Sequence, residues 1–171
     1  MSYPEFVRSR FKSGEKIAEE MTPHKLGLLA LQVNVLFRDG ETLDKIKKFA
    51  FYNDDKYGCS KWTVPDIADF EGIKLTPEQS NMLHSAVGQV TESLELLDAV
   101  RKHVFDGQPL DEDNVIEELG DLCFYLEAAC QAIKMKREDI EELNVAKLCE
   151  RYKDGYSDQQ AQDRADKAGA E

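Results

Sequence analysis

The sequence VIEELGDLCFYL, residues 115–126, combines the pattern of a buried helix with features that buried helices avoid. Its apolar residues form one helical stripe, and aromatic residues extend the apolar surface to the far side, which predicts a helix buried nearly all round. The same stretch carries Glu118 and Asp121, and a buried carboxylate is costly unless a positive charge meets it. Gly120 costs about 0.5–1 kcal/mol more than alanine in a helix interior. The stretch therefore predicts a helix whose acids bind a cation and whose glycine lets a neighbour approach.

Composition limits the classes of protein that this chain can represent. Its 171 residues suffice for one domain with a core. The formal net charge of −12, from 22 basic and 34 acidic residues, argues against nucleic acid as a partner. A small phosphorylated ligand remains compatible with this charge when a divalent cation bridges the two.

Cysteine usage and hydropathy predict a cytoplasmic location. The chain has no apolar run near the roughly 18 residues of a membrane span and no apolar signal core at its start. The cysteines form no Cys-x-x-Cys pair, and we expect them to be small core residues in a reducing compartment. They are Cys59, Cys123, Cys130 and Cys149.

Helical periodicity extends over most of the chain and predicts an all-α bundle. Thr22 and Thr76 are each followed by proline, a pattern typical of a helix start. We expect Gly40 to break the helix that begins after Thr22, and residues 52–74 to be rich in loops. The predicted helices span about residues 4–20, 23–39, 42–51, 77–105, 111–135 and 137–152, with a last short helix after Ser157.

Residues 21–51 align with residues 75–105 without a gap when the chain is shifted by 54 positions. Nine of the 31 aligned positions are identical, which favours a partial duplication. Two amphipathic helices with similar starts would also explain the match. Arg38 stands where the second copy has Glu92, so a degenerate first copy would be structural.

Glu92 and Glu95 form a second pair of acids on the predicted helix 77–105. Acids three residues apart point the same way on a helix, although such pairs are frequent in so acidic a chain. We expect this helix to place Leu83 and Val90 in the core, with the two acids opposite, beside small residues. A solvated acidic face is the alternative interpretation.

The turn at residues 106–110 would fold the two acid-bearing helices antiparallel and bring their acids together. Four carboxylates in a bundle need cations, and ligands that are all oxygen suit Mg²⁺ or Mn²⁺ rather than zinc. A di-iron bundle would use Glu-x-x-His, which neither pair contains. Asn144, Lys147 and Arg151 share one face of the helix at 137–152, where they could meet phosphates. Surface pairs of these basic residues with Glu142 or Glu150 are the alternative.

Together these motifs resemble the MazG-type branch of the all-α nucleoside triphosphate pyrophosphohydrolases, in particular the single-domain forms of phages. The resemblance lies in ESLE at 92–95, ELGD at 118–121 and NVAKLCERY at 144–152. It covers about residues 75–168, which we expect to be the catalytic core of a single domain, 1–171. Residues 1–74 would be a helical N-terminal extension that contains the degenerate repeat.

The resemblance implies Mg²⁺-dependent hydrolysis of a nucleoside triphosphate to the monophosphate and pyrophosphate, by a homodimer or a homotetramer built as a dimer of dimers. Either Glu92 or Glu95 is expected to be the general base. The catalytic metal ligands would be Glu92, Glu95, Glu118 and Asp121. The phosphate contacts would be Asn144, Lys147 and Arg151.

Substrate choice follows less directly from the resemblance. We expect a deoxynucleoside triphosphate, with a lean to a purine such as dGTP. Candidate contacts to the base are Asn81, Tyr125, Phe37, Phe51 and Trp62.

One departure from the family pattern supports other functions. The chain has TESLE where members of the family usually have small residues, as in GEAGE, so Ser93 and Leu94 alter the surroundings of the acids. A non-catalytic nucleotide-binding or regulatory protein of the same fold is therefore the alternative. A helical interaction module without a ligand is a third.

Overall fold

The computed structural model describes residues 2–10, 12–20, 22–63, 74–153 and 155–167, and all regular structure within these ranges is helical. The predicted all-α class is confirmed. Two short 3₁₀ helices, Cys59–Lys61 and Ala165–Lys167, accompany the α-helices. None of the described helices has both the length and the apolar character needed to cross a membrane. The α-helices are α1 (Tyr3–Arg10), α2 (Gly14–Glu20), α3 (Pro23–Tyr52), α4 (Pro77–Asp106), α5 (Glu112–Ala132), α6 (Arg137–Arg151) and α7 (Asp158–Asp163).

The chain divides into two compact units. The larger is Leu26–Lys134, and the smaller combines Met1–Lys25 with Met135–Glu171. In the larger unit, α4 and α5 form an extensive helix pair. In the smaller unit, α6 contacts α1 and the second 3₁₀ helix, and Lys12 forms a 2.9 Å salt bridge with Asp158.

Local signals placed the start and the end of α4 correctly. The Thr76 hydroxyl accepts a hydrogen bond from the backbone N–H of Gln79, whose side chain accepts one from the N–H of Thr76. This capping box satisfies two backbone donors at the start of the helix. Gly107 ends the helix in the left-handed conformation, with φ of 68°.

The predicted break at Gly40 is wrong, because α3 continues through it to Tyr52. Gly40 is buried against α4, and it allows the two helices to approach each other closely. The single helix predicted over 4–20 is also wrong, because α1 ends at Arg10 and α2 begins at Gly14. The Ser13 hydroxyl accepts a hydrogen bond from the N–H of Lys16, as in an N-cap that starts a new helix.

The first and last residues of α3 and α4 are separated by the same 54 positions that align the two sequences. Both helices have 30 residues, and 54 positions separate Pro23 from Pro77 and Tyr52 from Asp106. Contacts between them run antiparallel, since Lys47 reaches Glu92 while Tyr52, further along α3, reaches back to His84.

Contacts between the two helices also occur in matched pairs. The Lys47 ammonium donates a 2.8 Å hydrogen bond to the Thr91 hydroxyl. At the equivalent positions of the other copy, the Arg101 guanidinium lies over the Phe37 ring, 5.7 Å from its centre. The two helices are thus related by an approximate local two-fold axis, as in any antiparallel helix pair, and the partial duplication stays a prediction.

The face of α4 that is buried differs from the predicted one. Leu83 and Val90, expected in the core, are 46% and 47% exposed. The prediction was wrong because small side chains, rather than large ones, let α3 and α5 pack close to this helix. The buried residues of α4 are Ser85, Gly88, Thr91, Glu92, Asp98 and Ala99.

The described residues of this chain do not bury helix α5 all round, so its predicted burial requires a second chain and stays a prediction. Ile116 and Phe124 are 68% and 66% exposed, because α4 is the described element that covers this helix extensively, and it covers one side. Among the described residues, Gly120 has no neighbour within 4 Å of the position that a Cβ would take, so none of them makes the expected close approach.

Two of the four cysteine predictions fail. Cys59 and Cys130 are buried, as expected. Cys123 and Cys149 are exposed, contrary to the prediction.

Candidate metal centre

Three acids from two helices meet in the larger unit. Within the described part of the chain, Glu92, Glu95 and Glu118 are the one group of potential metal ligands whose carboxylate oxygens lie within 4.8 Å of one another. Helix α4 supplies the first two from one face, and the turn after Gly107 brings α5 alongside with the third. Glu92 and Glu118 are buried and Glu95 is exposed, so the cluster has an interior side and a solvent side.

Asp121, the fourth predicted ligand, does not belong to this group. It lies three residues after Glu118 on α5 and is exposed. It is close enough to Glu118 for its negative charge to raise the pKa of that carboxyl.

The electrostatics of the cluster show the need for positive charge. Burial raises the pKa of Glu118 to about 7, and the charges of Glu95, Glu92 and Asp121 act in the same direction. Burial also raises the pKa of Glu95, with a further contribution from Glu92. Such mutual repulsion is relieved by a cation, and a donor set made of carboxylate oxygens fits Mg²⁺ or Mn²⁺.

Lys47 of α3 contacts the cluster, and this contact was not predicted from the sequence. Its ammonium is 2.8 Å from Oε1 of Glu92, and both side chains are less than a tenth exposed. Burial lowers the pKa of Lys47, but hydrogen bonds and charges from Glu92 and Asp44 outweigh it and raise the pKa overall. The sequence did contain a signal: the repeat aligns Lys47 with Arg101, so that this position is basic in both copies.

Two of the candidate base contacts line a cavity whose lining does not include the acid cluster. Asn81 and Tyr125 line a cavity of about 480 Å³ together with His84. The Tyr125 hydroxyl is 2.9 Å from that of Tyr52, and burial raises the pKa of Tyr125. Phe51 stacks on His84 with ring centres 4.4 Å apart, so its ring face is already used.

A second cavity, of about 640 Å³, opens between α3 and α4. Phe37 and Tyr57 line it, as do Asn114 and the cluster member Glu95. Trp62 is 44% exposed and does not line either cavity.

The predicted phosphate contacts all lie on α6, in the smaller unit. Asn144 is half-buried and Lys147 is exposed. Arg151 donates hydrogen bonds of 2.6 and 2.7 Å to the two oxygens of Asp166, whose pKa this guanidinium lowers to about 2. Its partner is therefore neither Glu142 nor Glu150. A phosphate would have to share Arg151 with Asp166 or displace that carboxylate.

Comparison with known protein families finds a match in this chain. Residues 83–156 match the family model described as the MazG nucleotide pyrophosphohydrolase domain. The matched segment runs from α4 to just beyond α6 and contains both acid pairs and all three predicted phosphate contacts. No curated protein and no solved structure matches the chain.

Proposed function

We propose that this chain, whose residues 83–156 form a MazG-type domain, hydrolyses a nucleoside triphosphate to the monophosphate and pyrophosphate in the presence of Mg²⁺. The meeting of Glu92, Glu95 and Glu118 in one partly buried cluster carries the proposal. Buried carboxylates without full compensation are costly, and a divalent cation offsets that cost. The same cation lets an acidic protein bind a polyphosphate.

The carboxylates of the two helices share the binding of the metal ion. Glu92, Glu95 and Glu118 would hold Mg²⁺, with Asp121 joining them from the exposed side. Bound Mg²⁺ supplies neutralisation of phosphate charge and lowers the pKa of a coordinated water.

We assign the role of general base to Glu95. It is exposed to water, and no described residue forms a hydrogen bond with it, whereas Glu92 accepts one from Lys47. Glu95 accepts a proton from the attacking water while the water oxygen bonds to the α-phosphorus. The α–β anhydride bond breaks, and pyrophosphate leaves with the electron pair of that bond.

The basic residues of α6 would bind the phosphates. Lys147 is exposed and offers a mobile point charge. Arg151 offers a planar fork that Asp166 now occupies, and the triphosphate would compete for it. Asn144 would donate a hydrogen bond from the same helix face.

We place the nucleoside in the 640 Å³ cavity, which Glu95 connects to the acid cluster. Its volume is within the range of small-molecule sites, and Phe37 and Tyr57 offer ring faces to a base. Glu41 also lines it, and its carboxylate can accept from the N–H donors on the pairing edge of guanine. A deoxynucleoside triphosphate, with dGTP preferred, is therefore our proposed substrate.

The TESLE departure is compatible with this activity. Leu94, which stands where the family usually has a small residue, packs against Gly40 of α3, so its extra volume is accommodated outside the acid cluster. Ser93 is exposed and donates its hydroxyl to the carbonyl of Gln89 within the same helix. Neither residue removes an acid or blocks the meeting of the three.

A panel of ribonucleoside and deoxyribonucleoside triphosphates tests the proposal. With Mg²⁺ or Mn²⁺ we expect equimolar nucleoside monophosphate and pyrophosphate, and none after chelation. Release of orthophosphate, or no turnover with any nucleotide, contradicts the proposal. Tight nucleotide binding without turnover would instead identify the non-catalytic alternative.

We further propose that the chain forms a homodimer or a dimer of dimers. The apolar side chains of Ile116, Leu119 and Phe124 form an uncovered patch on α5, at 49–68% exposure. A second copy would remove this patch from water. Light scattering of the wild type and of Phe124→Glu tests this, because a charge in the patch should lower the measured mass.

A further inference from the structure

Lys47 occupies an unusual environment for a lysine. Its side chain is 6% exposed, and lysine is almost never fully buried unless it is paired. Helix α3, which carries it, lies outside the segment that matches the MazG-type domain. The lysine nevertheless ends on Glu92, a member of the acid cluster.

The position of the ammonium is fixed by three neighbours. It is 2.8 Å from Oε1 of Glu92, 2.8 Å from the Thr91 hydroxyl and 3.3 Å from Oδ1 of Asp44. The Thr91 hydroxyl accepts from Lys47 and can donate in turn to the carbonyl of Gly88, at 2.9 Å. Two of the three ammonium protons therefore have a hydrogen-bond acceptor, and Asp44 adds its negative charge from the third side.

The balance of charge in the acid cluster indicates a role for Lys47. Glu92, Glu95 and Glu118 bring up to three negative charges within 4.8 Å, and Lys47 supplies a positive charge at their buried end. We propose that Lys47 is the resident counter-ion of the acid cluster: it positions Glu92 and keeps the site assembled before a divalent cation binds. This inference rests on the metal-binding role proposed above for the cluster.

The role has a measurable consequence. Without Lys47, Glu92 would be buried and unpaired, and the metal-free protein would be less stable. A divalent cation would then supply all of the compensating charge, so it should bind more tightly and stabilise the variant more than the wild type. If Lys47 had a merely structural role, its replacement would lower the stability of the protein equally with and without the cation.

Thermal melting with and without Mn²⁺, at about pH 8, tests the inference. The variants are Lys47→Met and the charge-conserving Lys47→Arg. Lys48→Met is the matched control, because Lys48 lies on the same helix and also pairs with Asp44. Lys48 is 40% exposed, does not contact Glu92 and acts on the cluster only through the solvent-screened attraction of its charge to Glu95. We expect Lys47→Met to have a lower Tm without Mn²⁺, a larger Mn²⁺-induced rise in Tm, and Mn²⁺ affinity about tenfold or more above that of the wild type. Lys47→Arg and Lys48→Met should show the wild-type rise.

A rise in Lys47→Met equal to or smaller than that of the wild type overturns the inference. Folding of Lys47→Met with Mn²⁺ but not without it supports the inference. If Lys47→Met folds under neither condition, Lys47→Met/Glu92→Gln decides, since removing the unpaired charge should restore folding. If the double variant also does not fold, the inference is overturned.

The two proposals fail on different measurements. If the variants show the expected Mn²⁺ response but the wild type releases no pyrophosphate, the proposed hydrolysis is contradicted and the proposed role of Lys47 is not. A chain that releases pyrophosphate while Lys47→Met shows the wild-type Mn²⁺ response contradicts the role of Lys47 alone.

Discussion

Gly40 and Leu94 face each other where α3 crosses α4, and the shift of 54 positions that relates the two helices carries each residue onto the other. Their contact therefore lies at the local two-fold axis between the helices. A Cβ on Gly40 would lie 2.4 Å from Cδ1 of Leu94 and 3.3 Å from its Cβ. The approach of the two helices thus depends on the missing side chain, and the acid cluster forms within a turn of this crossing.

We expect Gly40→Ala to lower the free energy of unfolding by about 1–3 kcal/mol, the usual cost of overpacking. The nearest atom is the end of a flexible side chain, which favours the lower part of that range. Gly27→Ala is the control on the same helix, where nothing lies within 4 Å of the added Cβ. It should stabilise by about 0.5–1 kcal/mol, because alanine is the better helix former. Urea denaturation measures both, and a change of the same sign in the two variants would contradict the assigned contact.

Gly88 plays the corresponding part between α4 and α5. A Cβ there would lie 2.3–2.5 Å from three atoms of the Tyr125 ring, whose hydroxyl is tied to that of Tyr52. We expect Gly88→Ala to cost at least about 1–3 kcal/mol, because a buried ring must move. Gly120→Ala, on the open side of α5, should be neutral or stabilising in denaturant titrations of the monomeric chain. Destabilisation by Gly120→Ala in an oligomer, but not in the monomer, would place a second copy against this glycine.

The sequence predicted those features of the fold that depend on neighbours along the chain. The caps of α4 at Thr76 and Gly107 follow from local hydrogen bonding and backbone conformation, and the facing of Glu92 and Glu95 follows from helical spacing. The meeting of these acids with Glu118 needed one further assumption, a tight turn between two helices. Each of these steps uses short-range geometry, which sequence patterns record.

Features that depend on distant parts of the chain were missed or misread. The sequence predicts a helix end at Gly40, because a glycine signals either an end or a close approach and the sequence does not distinguish them. The Lys47–Glu92 pair joins residues 45 positions apart, and a lysine in an acidic chain is by default an exposed residue. For α5, the apolar pattern predicts that its surface is covered, but a pattern does not indicate which chain covers it.

The raised pKa of Glu118 predicts a pH dependence of stability in the metal-free protein. This pKa is about 7 in the folded chain, against an ordinary value of 4.5. Between these values the folded chain holds a proton that the unfolded chain releases, so the free energy of unfolding should fall as pH rises from about 4.5 to about 7. The shift of Glu95 acts in the same direction.

Denaturant titrations in a chelating buffer at about pH 5 and about pH 7.5 measure this decline. Glu118→Gln has the same shape but cannot titrate, so its decline should be smaller than that of the wild type. Saturating Mg²⁺ should also reduce the decline in the wild type, because the cation favours the ionised carboxyl. Equal declines in the wild type and Glu118→Gln would contradict the assigned protonation.

Adjacent acids on α5 provide the sharpest test of the proposed site. Glu118 is 4% exposed and belongs to the acid cluster, whereas Glu117 is exposed on another side of the same helix and is not part of it. Loss of a metal ligand should lower kcat/KM for pyrophosphate release by about 10²-fold or more in Glu118→Gln, since changes even to residues that only support a ligand cost 10–100-fold. Glu117→Gln removes the same charge one residue away and should retain activity within about threefold, because an exposed charge is screened by solvent. Comparable losses in the two variants would mean that net charge, rather than the meeting of Glu118 with Glu92 and Glu95, supports turnover.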